Sequence, residues 1–328
     1  MSRRDRTATR LDTLPAVSVP TKNAATTIPA KRIVDWPTTI AVWGARVMWL
    51  LLAVLGGAAV GDALDARARA VQLTASIALW ALWGLVALAL VIPSAVGLTV
   101  IRTIAPGAVI MAVVALASRG DGVDAVHGVV CLSLATVATA FVFSGEFGQA
   151  CAQASAYGDE RRFVLRAPAP FLLPVAISWC GLCGASISGP LLMASASWVA
   201  GVPLTAVALA LSWFLGRRYH RLARRWLVLV PAGVVIHDHL VLVETAMFAR
   251  STVAGIGLAL ADTEAADLTG PAGGNAIEIK LNDMPTVVLA ASRAKPTGTA
   301  LHVRAVLVAP TRPGRVLAEA AARGLPVG

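Results

Sequence analysis

Six stretches of this chain are nearly unbroken runs of apolar side chains, and each is about as long as a bilayer is thick. They lie at about 39–60, 73–92, 96–117, 126–143, 171–188 and 195–215. A helix crossing the hydrocarbon core needs about 20 mostly apolar residues, so the pattern predicts six transmembrane helices. After residue 225 the pattern changes. Trp226-Leu227-Val228-Leu229-Val230 is followed by a turn at Pro231-Ala232-Gly233, then by Val234-Val235-Ile236 and a second turn at His237-Asp238-His239. Ile277, Ile279 and Leu281 alternate with Glu278 and Lys280, the period of a half-buried strand. Residues 286–290 and 301–308 are further strand candidates, and the polar, Gly-rich stretch 262–275 reads as a loop. Near the C-terminus, Thr311 is the expected N-cap of a short helix with Pro313 in its first turn. Val316, Leu317 and Ala320 share one face of it, and Gly324 terminates it.

The expected architecture is therefore an all-α membrane bundle followed by a soluble α+β domain. Its parts are a disordered basic tail at 1–35, a transmembrane domain at 36–216, a basic stalk at 217–225 and the soluble domain at 226–328. The tail is polar, carries Pro15, Pro20 and Pro29, and lacks the apolar core of a cleavable signal peptide.

Composition strengthens the membrane assignment. The chain is 57% hydrophobic and 14% charged, against about 25% charged in soluble domains. The formal net charge of +10 invites a nucleic-acid reading, but its distribution argues against one. Residues 226–328 contain eight Lys/Arg and eight Asp/Glu. The basic excess flanks the apolar runs, as expected beside an anionic leaflet. Seven Lys/Arg lie in the tail, three in the loop 145–168 and five in 217–225, against three (Arg67, Arg69 and Arg119) in the opposite loops. Fifteen against three predicts a cell-membrane protein with both termini in the cytoplasm. Trp36, Trp43, Trp213, Tyr219 and Trp226 fall near span ends, the level aromatic side chains favour.

The opening hairpin at 225–236 and the closing helix resemble the bacterial pleckstrin-homology-like domain, which implies a strongly bent antiparallel sheet of about seven strands closed by a helix over residues 226–324. The whole chain resembles a group of uncharacterised actinobacterial multi-pass membrane proteins. That likeness is carried by Tyr157-Gly158-Asp159-Glu160-Arg161-Arg162-Phe163, by Pro310-Thr311-Arg312-Pro313-Gly314, and by an Ala/Val/Arg-rich composition with few lysines. It implies architecture and lineage and brings no catalytic residue.

Several residues are candidates for function. Arg217, Arg218, Arg221, Arg224 and Arg225 follow the sixth span. The spacing of Arg217, Arg221, Arg224 and Arg225 places them on one helical face, suited to fixing topology or to holding anionic headgroups or an acidic partner. Arg161 and Arg162, with Asp159, Glu160 and Arg166, lie in a loop on the same side and are expected to form local pairs or to dock the soluble domain. Arg46 and Arg102 fall inside spans, where a charge either snorkels to the headgroups or lines a pathway. Cys180 and Cys183 form a C-x-x-C on one helix face, for which packing outweighs redox exchange. Gly181, Gly184, Ser186 and Ser188, and the stripe Ala53, Gly57 and Gly61, predict close helix packing. The triplet His237-Asp238-His239 lacks the distant ligands of a metal site. No cofactor motif is present. The expected function is a membrane scaffold or regulatory subunit that contacts other membrane or cytoplasmic proteins or anionic lipid headgroups, with no nucleic acid. The alternatives are a small-solute or lipid transporter or channel component, and a thiol oxidoreductase using Cys180 and Cys183.

Overall fold

Six helices are long and apolar enough to cross a membrane, in a computed structural model that describes residues 36–118, 123–291 and 298–328. The tail at 1–35 and Arg119 lie outside the described residues. In chain order the elements begin with α1 (Trp36–Asp65), α2 (Arg69–Val91), α3 (Ala95–Ala117), α4 (Val123–Phe143), a short α5 (Gly145–Ala154), β1 (Arg161–Val164), α6 (Ala169–Ala194) and α7 (Trp198–Ala223). All of these helices except α5 are candidate spans, so the chain is a multi-pass membrane protein. The sixth span begins at Trp198 and not at 195, because residues 195–197 turn the chain, with Ala196 at φ 62°.

Small side chains set the packing of the bundle, but not the ones expected. Ala41, Ala45 and Trp49 are buried on α1. A Cβ at Gly44 would sit 2.6–2.8 Å from the Phe141 ring of α4, and one at Gly56 would sit 3.0 Å from Cys131 Sγ. Gly57 and Gly61 face open space, so the close contact runs along a neighbouring face of α1. On α6 the same correction applies. Gly189 packs on the backbone of Thr205 in α7, whereas Gly181 and Gly184 meet nothing within 4 Å. Between α1 and α2, Trp49 Nε1 donates to the Trp83 carbonyl at 3.1 Å and Trp83 Nε1 donates to the Trp49 carbonyl at 3.0 Å. Each indole thereby finds an acceptor in a region without water.

The C-terminal region contains β2 (Trp226–Val230), β3 (Gly233–His237), β4 (Ala246–Ala249), β5 (Val253–Leu258), β6 (Ala266–Asp267), β7 (Ile277–Leu281), β8 (Thr286–Leu289), β9 (Thr299–His302), β10 (Ala305–Val308) and α8 (Pro313–Ala322). It is the expected α+β part of the fold. Three sheets run in the orders β1-β2-β3-β4, β5-β7-β10-β6 and β8-β9. All pairs are antiparallel except β6 with β10. One core joins them, built around Leu227, Leu229, Ile236, Ile279, Val306 and Val316.

Several details depart from expectation. The segment 301–308 is two strands, β9 and β10, broken at Val303 and Arg304, and the loop 262–275 holds β6. Arg312, not Thr311, caps α8. Thr311 instead gives its N–H to the Val164 carbonyl at 2.9 Å. Gly324 does end the helix, at φ 67°. Its N–H donates to Ala321 O and that of Leu325 to Ala320 O, which satisfies carbonyls the helix leaves free.

The largest departure is the boundary at 226. The first sheet takes β1 from the loop between the fourth and fifth spans, with Arg161 opposite Leu229 and Val164 opposite Trp226. Phe163 and Leu165 of that loop are buried in the core with the C-terminal strands. The outer edge of β1 is also covered. Gln149 and Gln153 stand one turn apart on α5. Gln153 Oε1 accepts from Arg162 N at 3.0 Å, Gln149 Oε1 accepts from Val164 N at 3.2 Å, and Gln149 Nε2 donates to the Arg162 carbonyl. Two side chains thus replace a neighbouring strand on an edge that would otherwise be open to pairing.

Gly233 makes the β2–β3 turn. Its φ is +150°, and an added Cβ would run into the Phe248 carbonyl oxygen and lie 2.9 Å from Arg250 N. Gly233→Ala is expected to cost about 1–3 kcal/mol or more through backbone strain, read as a lower unfolding midpoint. An unchanged midpoint would mean that the turn relaxes freely.

Candidate functional site at the junction of bundle and sheet

The helix α7 continues through the basic segment to Ala223, with Arg224 as its C-cap, and β2 starts at Trp226. Arg225 therefore lies in the joint between helix and strand, and it turns inward. Its side chain is 1% exposed and that of Asp238 is fully buried. Arg225 Nε and Nη2 reach Asp238 Oδ2 at 2.9 and 2.7 Å. Nη2 also donates to Thr269 O at 2.9 Å, and Nη1 donates to the Arg166 carbonyl. Asp238 Oδ1 accepts from Leu240 N at 3.1 Å, closing the turn after β3. A buried charge survives only when it is paired and its donors are filled, and both conditions are met. This corrects the expectation that Arg225 stands on the exposed basic face: no headgroup or partner reaches it. Asp238, expected only as a turn residue, is its counter-ion.

Arg217, Arg218 and Arg221 are exposed. The Arg217 guanidinium lies over the Trp213 ring at 4.0 Å and that of Arg218 over Phe214 at 4.3 Å, so both cations lie against aromatic rings one turn back on α7. Arg161 and Arg162 are strand residues of β1. Arg161 approaches Glu319 of α8 at 3.9 Å. Arg323, the C-cap of α8, bonds the carbonyl and carboxylate of Asp159, and Arg312 pairs with Glu146 of α5. The loop and the C-terminal helix are thus tied together by several charge pairs. Arg166 donates to the Gly273 and Asn275 carbonyls.

Arg46 and Arg102 do equivalent work at two helix ends. Arg46 Nε donates to Leu90 O at 3.0 Å and Nη2 to Val91 O at 3.3 Å, with the guanidinium over Trp43. Arg102 Nε donates to Val142 O at 3.2 Å and Nη2 to Ser144 O at 3.4 Å. Each cation sits on the last carbonyls of an adjacent span, α2 or α4, where the helix dipole is negative. Their bonds are given to helix ends. Cys180 is exposed and Cys183 half-buried on α6, and both are free thiols.

A cleft of about 460 Å³ opens where the start of α3, the end of α7 and the first sheet meet. Its walls bring together residues from distant parts of the chain: Ser94 and Val96, Glu160 and Arg162, His220, Arg224 and Trp226, and His237. Trp226 is the centre of one wall. The Arg162 guanidinium lies 4.8 Å and that of Arg224 5.7 Å from the indole, and the His237 ring stacks on it at 5.5 Å. Arg162 Nε and Nη2 both donate to Glu160 Oε2, at 3.0 and 2.8 Å. Arg224 has no carboxylate partner among the described residues; its Nη2 lies 3.5 Å from His237 Nε2. Arginine only donates, so that nitrogen accepts, and neutral His237 carries its proton on Nδ1 toward Thr245 Oγ1 at 3.1 Å. Burial first, then His239, Arg224 and Arg162, push the His237 pKa down to about 4. The Trp226 Nε1 is buried and has no hydrogen-bond partner.

The arrangement is cationic, donor-rich and poor in acceptors, and suits holding an anion. Sequence reasoning picked out Arg162 and Arg224 but not the site, because its members come from α3, β1, the end of α7 and β3, which meet only in the fold. No known protein family, curated protein or solved structure matches this chain.

Proposed function

We propose that this protein is a membrane scaffold or regulatory subunit. It holds its α+β domain at a fixed attitude on the cytoplasmic face of the bundle and there contacts protein partners and anionic lipid. The observation that carries this reading is the β1–β2 pairing: the loop between two spans is a strand of the C-terminal sheet. A domain tied to the bundle by a strand and by the buried Arg225–Asp238 pair presents its surface in a defined direction. The exposed Arg217, Arg218 and Arg221 at the end of α7 supply attraction to an anionic leaflet, each contributing about 1 kcal/mol near the surface. The excess of Lys/Arg on this side of the spans supports the cytoplasmic orientation. The opening hairpin and closing helix support a pleckstrin-homology-like kinship for the domain.

In-membrane cross-linking of the full chain followed by affinity purification tests the reading. A defined partner recovered in near-stoichiometric amount is the expected result. A chain that purifies alone after cross-linking, and that shows no preference for anionic over neutral vesicles, would sink it.

A further inference from the structure

We propose that the cleft between α3, α7 and the first sheet binds a phosphate monoester, presented by a lipid headgroup. The inference rests on the lipid-contacting reading above and names the ligand for one site within it.

Positive charge converges there from two elements, Arg162 of β1 and Arg224 at the end of α7, and the neutral imidazoles of His220 and His237 stand beside them. One carboxylate, Glu160, lines the same cleft, and Arg162 already engages it. Arg224 therefore keeps an uncompensated charge at the cleft wall. The rim at Ser94 and Val96 is the N-terminus of α3, a helix of 23 residues. Ser94 Oγ accepts from Gly97 N, and the first-turn amides of Ala95 and Val96 precede any intrahelical acceptor. Such an end favours an anion with several acceptor oxygens. Trp226 lines the cleft at 5% exposure, with the Arg162 and Arg224 guanidinium groups against its ring. The cleft thus offers guanidinium and backbone amide donors around one carboxylate that is already engaged.

A tetrahedral, multiply charged oxyanion matches that set, and arginine suits its geometry. Position selects a lipid as its carrier. The cleft lies where two candidate spans, α3 and α7, end, at the depth of headgroups. Beside it Val91, Ile92 and Val96 are exposed and apolar, a surface that acyl chains can cover while the phosphate enters the cleft.

The test uses the full chain in neutral detergent, with fluorescent phosphatidic acid as the probe, phosphatidylcholine bearing the same fluorophore as the comparison, and inorganic phosphate as a competitor. Saturable binding of phosphatidic acid over phosphatidylcholine is expected. Arg224→Gln is expected to weaken it about tenfold or more, the scale of one charge-assisted contact. His237→Gln serves as a second variant at a different element should Arg224→Gln alter folding, and a shared loss in both is expected. Lys280→Gln, on an exposed residue away from the cleft, should leave binding unchanged. Displacement by inorganic phosphate alone, with no preference for phosphatidic acid, supports the phosphate site and overturns the lipid carrier. Equal binding of the two lipids with no displacement by phosphate, or an equal loss in Lys280→Gln, overturns the site altogether. Partner recovery by cross-linking is scored separately in Arg224→Gln, so a failed cleft leaves the scaffold reading standing on its own result.

Discussion

Arg225→Met is expected to lower the stability of the C-terminal domain by about 3–5 kcal/mol, the cost of leaving one member of a buried ion pair alone. Asp238 has no exposure through which to regain water, so its charge would stay uncompensated. The carbonyls of Arg166 and Thr269 lose donors in the same step, and each adds about 1–3 kcal/mol if it finds no replacement. The sharper measurement is the double variant. Arg225→Met with Asp238→Leu removes both charges and is expected to recover most of the loss, because a buried pair can often be replaced by apolar side chains of similar size. Denaturant unfolding of the purified full chain provides the readout. A single variant as stable as the parent would show that the pair is solvated in solution. A double variant no better than the single would show that the two backbone acceptors, not the carboxylate, account for the cost.

A soluble fragment covering 226–328 is expected not to fold as a monomer, although composition marks that interval as an independent unit. The cut removes Phe163 and Leu165 from the core. Losing a buried Phe costs about 3–5 kcal/mol and a buried Leu about 2–5. It also removes Arg225 and opens the whole edge of β2. Domains are stable by about 5–15 kcal/mol in total, so these losses together consume the margin. The fragment should give a collapsed amide spectrum or aggregate through the bare β2 edge. Adding residues 157–166 and Arg225 back, joined by a flexible linker, is expected to restore dispersed signals. A folded monomer from 226–328 alone would place the strength of the domain elsewhere.

The apolar runs and the β2–β3 hairpin were legible because their signals are local. Span length is fixed by membrane thickness, and Trp226 to Ile236 is two short β-branched, apolar runs joined by a Pro-Ala-Gly turn. By contrast, β4 and β5 were missed: Ala246-Met247-Phe248-Ala249 and the Gly255- and Gly257-containing β5 carry little β-branched character. β1 was hidden for a different reason. Arg161-Arg162-Phe163-Val164 reads as a charged loop until its partner, more than sixty residues later in the sequence, supplies the ladder. Arg225 looked like one more basic stalk residue because its inward turn depends on where α7 stops. The cleft draws on Ser94, Arg162, Arg224 and His237, which no spacing rule connects.

The pairing of β1 with β2 also constrains the order of biogenesis. As the chain emerges from the ribosome, β1 comes first, with Gln149 and Gln153 able to cover only its outer edge. Its inner edge waits while α6 and α7 are made and inserted. The sheet closes only if that helical hairpin enters the bilayer and returns to the side it left. Sheet closure is therefore a check on topology, and a chain whose last two spans insert wrongly keeps an unpaired strand that quality-control proteases can recognise.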